Sequence, residues 1–593
     1  MRNRILALFP ALLLALLAVL PAAAETDVLV FIEEGSGFHV AENGLRILPG
    51  EDAVFTLEMD RGTALTGTDY SGESAVHVQN RTVTLTLRRV LCPTRVRLSV
   101  STKYCTALYD ANGGRPRRGT ETVVEKRFSL SVHRRPNTET DLFVRDGFTL
   151  LGWNTRSDGR GERIGLGSRV TPVNGEIRLY AQWAPWAKEK DFDWTGEESA
   201  TITACRSEAS PLVIPAMLGG KPVTGIASGA FVGCPAGEIV LPCSLETVAE
   251  GAFRSCALTV LTLFDSIRSI PDTAFTDCPG LQTLRINAAE APFGYVYRKE
   301  SAYADKAELL LAAQGRRKLV FYGGCSMWYN LDALQAVQTL GDEYAVINMG
   351  LNGTVSSAVQ LQILGHFLEP GDILFHTPEI SSRSQLMLTT GMGVDDSSLW
   401  CGLENNYDLF SLVDLRTVDG VFDSLCHYLG LKDRRTDYQQ FFSDDYRTPY
   451  LDAYGSIPFY RAGTDKNLDW TDKVRLNPEL LAESSLETLR AYYARLTEKG
   501  IRVLVSCACV NLDAVPEEQR GNAAEMDRLF RAGVEAVPGV RMISRLEDYL
   551  YHREDFYDTN YHLNTAPAKR NTAQWLADLQ AALAEEGGSA DAK

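Results

Sequence analysis

The chain has 593 residues, 45% of them hydrophobic and 23% charged, values of folded globular material that exclude a wholly disordered or collagen-like polymer. At ~150 residues per domain, it holds about four domains. Its 59 Lys and Arg stand against 76 Asp and Glu, a formal charge of −17, which argues against nucleic acid as the main partner because phosphate binding needs a basic face.

Residues 1–24 read as a secretory signal peptide. Arg2 and Arg4 give the positive start, residues 5–20 form an apolar run interrupted by Pro10, and Ala22-Ala23-Ala24 offers small residues for cleavage before Glu25. The run is short for a spanning helix. Losing the two arginines takes the charge from −17 to −19. No later stretch reaches membrane-spanning length. The mature chain is therefore expected to be secreted or held at the cell surface, with no membrane span.

Residues 25–104 predict a small antiparallel β domain, with β-branched runs such as 82–87 (TVTLTL) and 96–100 set between Gly, Asp and Asn turns. Residues 105–186 carry three ordered phrases: Tyr109-Asp110-Ala111-Asn112-Gly113-Gly114, Asp146-Gly147-Phe148-Thr149-Leu150-Leu151-Gly152-Trp153-Asn154 and Leu179-Tyr180-Ala181-Gln182-Trp183. The glycine-bearing turns suit positive φ, and Trp153, Tyr180 and Trp183 are expected to fill a small core. These phrases resemble the Listeria–Bacteroides repeat, a β-grasp-like module that spaces and displays other domains of bacterial surface proteins.

Residues 190–292 repeat. Ala230-Phe231-Val232-Gly233-Cys234, Ala252-Phe253-Arg254-Ser255-Cys256 and Ala274-Phe275-Thr276-Asp277-Cys278 recur every 22 residues, with strand-like phrases between them. A period in the twenties with one short strand per unit predicts a leucine-rich solenoid of about three to four repeats. The Ala-Phe-x-x-Cys phrase resembles the BspA-type leucine-rich repeats of bacterial surface proteins. Stacked Phe and Cys ladders are expected inside. Either the concave face of the array binds a host or cell-surface partner, or the repeats are a spacer. The chain has 12 cysteines, and the regular spacing of these three argues against a disulfide framework for them. The histidines are scattered and no pair of Cys-x-x-Cys motifs occurs, so no metal site is expected.

Residues 297–587 change character. Short apolar strands (318–322, 344–350, 372–375 and 502–506) alternate with helical stretches, which predicts a parallel sheet covered on both faces. In such sheets the active crevice lies at the strands' carboxyl ends. That edge gathers Gly323-Gly324-Cys325-Ser326, Gly350-Leu351-Asn352-Gly353 and the segment after Phe375. Near the far end stands Phe556-Tyr557-Asp558-Thr559-Asn560-Tyr561-His562-Leu563-Asn564, before an amphipathic helix. A nucleophile early, with Asp and His late, resembles the SGNH (GDSL-like) hydrolases over roughly residues 317–583. The resemblance implies a flavodoxin-like three-layer parallel sheet and an esterase or acyltransferase acting on an acylated extracellular glycan or other ester, with no cofactor.

The resemblance also implies roles. A hydroxyl or thiol after the paired glycines attacks an ester carbonyl, His562 is the base and Asp558 orients it. Gly350 N–H and the Asn352 side chain are candidate oxyanion donors, beside the nucleophile's own N–H. Counting the family's Gly-x-Ser from Gly323 makes Cys325 the nucleophile; counting from Gly324 makes it Ser326, which is favoured here. Three residues separate Asp558 from His562 where the family has two. His376-Thr377-Pro378-Glu379 stands where the family has Gly-x-Asn-Asp; His376 and Glu379 either meet substrate or are structural. Asp332 is expected at a helix end, and residues 400–470 are read as an insertion forming a lid or cleft wall. The alternative to an enzyme is a non-catalytic adhesin whose repeats bind a protein or glycan.

Overall fold

The computed structural model describes residues 27–33, 38–59, 63–79, 82–102, 104–129, 137–170, 176–289, 302–353, 355–379, 391–392, 396–433, 454–457, 461–464 and 474–590. The expected signal peptide lies outside these residues. No helix of the described residues is long and apolar enough to cross a membrane.

The N-terminal unit is antiparallel in its main sheet because its strands alternate strictly. Glu51–Met59 buries Ala53, Phe55, Leu57 and Met59, and its partner Thr82–Val90 buries Val83, Leu85 and Leu87 between threonines. The second unit centres on a five-stranded sheet in which Tyr104–Asp110 pairs antiparallel with Val123–Ser129 and parallel with Glu176–Pro185. Trp153 is its core, fully buried, edge-on to Tyr109 at 4.7 Å and donating from Nε1 to Glu139 O at 2.9 Å. Trp183 is half-buried and donates to Ala111 O. Tyr180 departs from expectation. Leu179 and Ala181 take the inward positions of the strand, so the two-residue period turns Tyr180 to the other face, beneath Arg178. Asn112 (φ 44°) and Gly113 (φ 89°) make the positive-φ turn that their phrase predicts.

The repeats form a solenoid with parallel strands Leu212–Val213, Glu238–Val240, Val260–Phe264 and Thr283–Asn287. Phe231, Phe253 and Phe275 stack at centroid separations of 4.8 and 5.3 Å. Two of the cysteine thiols reach back one repeat: Cys256 Sγ donates to Phe231 O and Cys278 Sγ to Phe253 O, both at 2.9 Å. Burial pushes the Cys256 thiol up to about 12, which suits a packing role and not a nucleophile. No disulfide joins any of the eleven cysteines whose side chains are described.

Two other units cover this solenoid. On its outer sheet face, Val213 and Val240 pack under Leu151, Ala184 and Trp186 of the second β unit. The fully buried Asn287 accepts from Leu166 N–H and donates to Leu151 O. At its end lies the described part of the insertion, residues 396–433. Phe422 extends the ring stack, 4.5 Å from Phe275, and Cys426 Sγ accepts from Ile270 N–H at 3.3 Å. Asp272 of the solenoid accepts from Phe422 N–H and Asp423 N–H, capping the helix Val421–Asp433. These residues cap the solenoid, because the last repeat exposes an apolar edge that a neighbour must cover, whereas Arg461, from the same 400–470 stretch, lies against Tyr329 and Leu563 of the C-terminal unit.

The C-terminal unit contains strands β1 (Lys318–Gly323), β2 (Ala345–Asn348), β3 (Ile373–Thr377), β4 (Arg502–Val505) and β5 (Val540–Met542). They form one parallel sheet in the order β2-β1-β3-β4-β5. Helices cover both faces: along β3, Phe375 meets Trp575 of one helix layer, while its neighbour His376 holds Tyr493 Oη at 2.6 Å on the other. At the amino end of the strands, the buried Lys318 Nζ binds Asp372 at 3.0 Å and Glu369 at 2.6 Å.

Replacing the capping ring should expose this arrangement. Phe422→Ala is expected to destabilise the solenoid by about 3 kcal/mol. Hydrogen exchange should quicken first in the last repeat, around Phe253 and Phe275, if the cap is what closes it.

Candidate active site

Gly323 ends β1 and Gly324 precedes the short helix α1 (Cys325–Asn330), so the chain turns from sheet to helix at the sheet's carboxyl edge. Cys325 is half-buried at the start of α1, and Ser326 is fully buried beside it. Ser326 Oγ donates to Glu379 Oε1 at 2.6 Å, and its N–H donates to the same oxygen at 2.9 Å. Cys325 Sγ lies 3.9 Å from that oxygen. Glu379 follows β3 and is itself buried. Burial raises its carboxyl above the ordinary range, while the hydrogen bonds from Ser326 and Cys325 pull the other way.

The histidine loop is built onto the same helix. Tyr329, one turn after Cys325, stacks flat on His562 with centroids 3.6 Å apart and planes 3° from parallel. Asn330 is fully buried and ties the loop down from both sides: Nδ2 donates to Tyr561 O and Oδ1 accepts from Leu563 N–H, each at 2.8 Å. His562 Nδ1 is 2.7 Å from Asp558 Oδ1. The three-residue spacing between them is accommodated by a closed turn. Phe556 and Leu563 bridge antiparallel, and Thr559 Oγ1 accepts from the N–H groups of Tyr561 and His562. Arg461, buried beside it, donates to Tyr329 O and Leu563 O, and burial pulls its pKa down to about 10.

The two proposed oxyanion donors fare differently. Gly350 N–H donates to Asn348 Oδ1 at 2.8 Å, and a Cβ at Gly350 would collide with the backbone of Trp328. Its glycine is therefore explained by close packing. Asn352 is half-buried on the loop after β2. Asp332 is a helix end as expected, its carboxylate accepting from Gln335 N–H. His376 is buried within the sheet and held by Tyr493. Among the described residues no cluster of His, Cys, Asp and Glu could hold a metal ion.

Sequence reasoning passed over Tyr329, Asn330 and Arg461. The first two lie four and five residues after Cys325, so their helical spacing could have flagged them; Arg461 sits in a stretch with no periodic pattern.

The fold defines the class: this is a multidomain, β-rich protein with a leucine-rich-repeat region. Residues 221–296 match the BspA type leucine rich repeat region in six copies. A solved structure, the crystal structure of T. pallidum Leucine Rich Repeat protein (TpLRR), is similar at 19% identity over 17% of this chain and 70% of its own, with a TM-score of 0.12. No curated protein matches the chain.

Removing the stitch should free the histidine loop. Asn330→Ala is expected to cost about 1–3 kcal/mol by removing the side-chain acceptor of Leu563 N–H and the amide donor to Tyr561 O. Hydrogen exchange across residues 556–564 should speed up more than exchange in the sheet does.

Proposed function

We propose that this is a bacterial surface protein whose C-terminal domain is an SGNH-like acyl-transfer site acting on acyl esters of extracellular glycans. The solenoid and β units, including a Listeria–Bacteroides-type module, serve as its rigid carrier. The carrying observation is the Asp558–His562 pair, at 2.7 Å, stacked on the helix that begins with Cys325. Base, orienting carboxylate and candidate nucleophile belong to chain segments more than 200 residues apart, yet α1 contacts the histidine loop directly.

Between the two candidates, the geometry favours Cys325. The Ser326 hydroxyl is committed to Glu379, whereas Cys325 is the more exposed of the two. In this reading Cys325 Sγ attacks the ester carbonyl and a C–S bond forms. His562 accepts the thiol proton and returns it to the departing alkoxide as the C–O bond breaks. Asp558 holds the imidazole and stabilises its charged form. Water or a sugar hydroxyl then resolves the thioester, giving hydrolysis or transfer.

A second reading, a non-catalytic surface binding protein, draws on the leucine-rich-repeat match and on Gly350, whose N–H already has an acceptor. Its partner would have to use solenoid surface other than the outer face packed under the second β unit.

Hydrolysis of p-nitrophenyl acetate and of acetylated oligosaccharides by the mature protein separates the readings. Cys325→Ala and His562→Ala should each lose about 10²-fold or more, while Ser326→Ala retains most activity. Loss in Ser326→Ala instead would name serine as the nucleophile. Activity that survives all three changes would put catalysis outside this site, and no activity on either substrate in the native protein would favour the binding reading.

A further inference from the structure

Three loops at the carboxyl edge of the sheet close on one buried carboxyl group. Glu379 comes from the end of β3. On one side lies Gly324, before α1; on the other lies Gly353, in the loop after β2. A Cβ at either glycine would collide with the carboxylate, so both backbones are shaped around it. Glu379 Oε1 accepts both donors of Ser326, at 2.9 and 2.6 Å, and stands 3.9 Å from Cys325 Sγ. Among the described residues, no Lys, Arg or His pairs with it.

This arrangement is expensive as packing alone. A buried carboxylate without a cation carries a desolvation penalty, and glutamine would offer the same shape and the same accepting oxygen at lower cost. What glutamine lacks is the ability to be charged. Among the described residues, the titratable groups facing Glu379 are Cys325, from α1, and Cys509, from the segment after β4. The Cys509 thiol is pushed up first by burial and then by the Glu379 charge.

We propose that Glu379 governs the protonation of Cys325, holding it as a thiol until His562 can take the proton. The two groups then share one proton, because a thiolate beside a carboxylate would place two like charges in a dry site. A thiol that rests protonated also resists oxidation, which follows thiolate character and exposure. The inference deepens the proposed site, but it depends on thiol reactivity and not on ester turnover.

The test is the pH profile of iodoacetamide alkylation at Cys325, resolved by peptide mass spectrometry, in the full-length protein and in Glu379→Gln. The native midpoint should lie above the ordinary thiol value of about 8.5. The glutamine oxygen can still accept from Ser326, so the variant should keep its fold. Its midpoint should fall by about one unit, which raises the alkylation rate near neutral pH by about tenfold. A native midpoint at or below the ordinary value, or a variant midpoint that stays put or rises, overturns the proposal. If the variant does not fold, the native profile decides alone. An intact shift without ester cleavage would remove the acyl-transfer reading and leave this one standing.

Discussion

The ring stack Phe231–Phe253–Phe275 has to end somewhere, and where it ends organises the molecule. A repeat covers its predecessor and exposes an equal apolar surface of its own, so an uncapped solenoid presents a buried residue's worth of area to water at each end. Phe422 meets that requirement from a segment of the α/β unit, stacking at 4.5 Å where the repeats stack at 4.8 and 5.3 Å among themselves. Cys426 accepts from the Ile270 N–H of the solenoid, and Asp272 caps the incoming helix in return. The insertion thus imitates a repeat without containing one. Because the second β unit closes the outer face as well, the solenoid is held on two sides by its neighbours.

The candidate site depends on a different economy of contacts. Helix α1 is only six residues long, and each turn of it has a separate task. Its first residues, Cys325 and Ser326, meet Glu379; its last, Tyr329 and Asn330, hold the His562 loop. A short helix cannot flex between those tasks, so the spacing between candidate nucleophile and base is set by backbone geometry. The side-chain amide of Asn330 supplies the cross-link that a loop of eight residues could not supply by itself.

Much of this was legible in the sequence where the signal was local. The 22-residue period fixes the ladder, alternation fixes the buried faces of the N-terminal strands, and the glycine phrases fix the turn at Asn112-Gly113. A local signal also located the strand-to-helix turn at Gly323-Gly324, whereas the pairing of Asp558 with His562 was an expectation of the family resemblance. The failures are long-range. Tyr180 looked like a core aromatic by type, but the register of its strand gives the inward positions to Leu179 and Ala181. Residues 400–470 read as a lid or cleft wall from their composition, and composition says nothing about which apolar edge the ring of Phe422 covers. The role of Glu379 was open because a carboxylate's function depends on what surrounds it, and its neighbours come from three separate loops.

The choice between Cys325 and Ser326 illustrates the point most sharply. By residue type alone, serine is the ordinary nucleophile and cysteine the departure. Adjacent residues of a helix point about 100° apart, so the two side chains cannot share one environment. Glu379 accepts both donors of Ser326, which fixes that side chain toward the sheet's edge and leaves the more exposed position to Cys325. The two carboxylates of the site then differ in kind. Asp558 faces an imidazole that can become a cation, so its charge is matched when that ring is protonated. Glu379 faces hydroxyl, amide and thiol, none of which can offset a negative charge. One carboxylate therefore favours charge on its partner and the other opposes it, and a proton moving from Cys325 to His562 would pass from the second environment to the first.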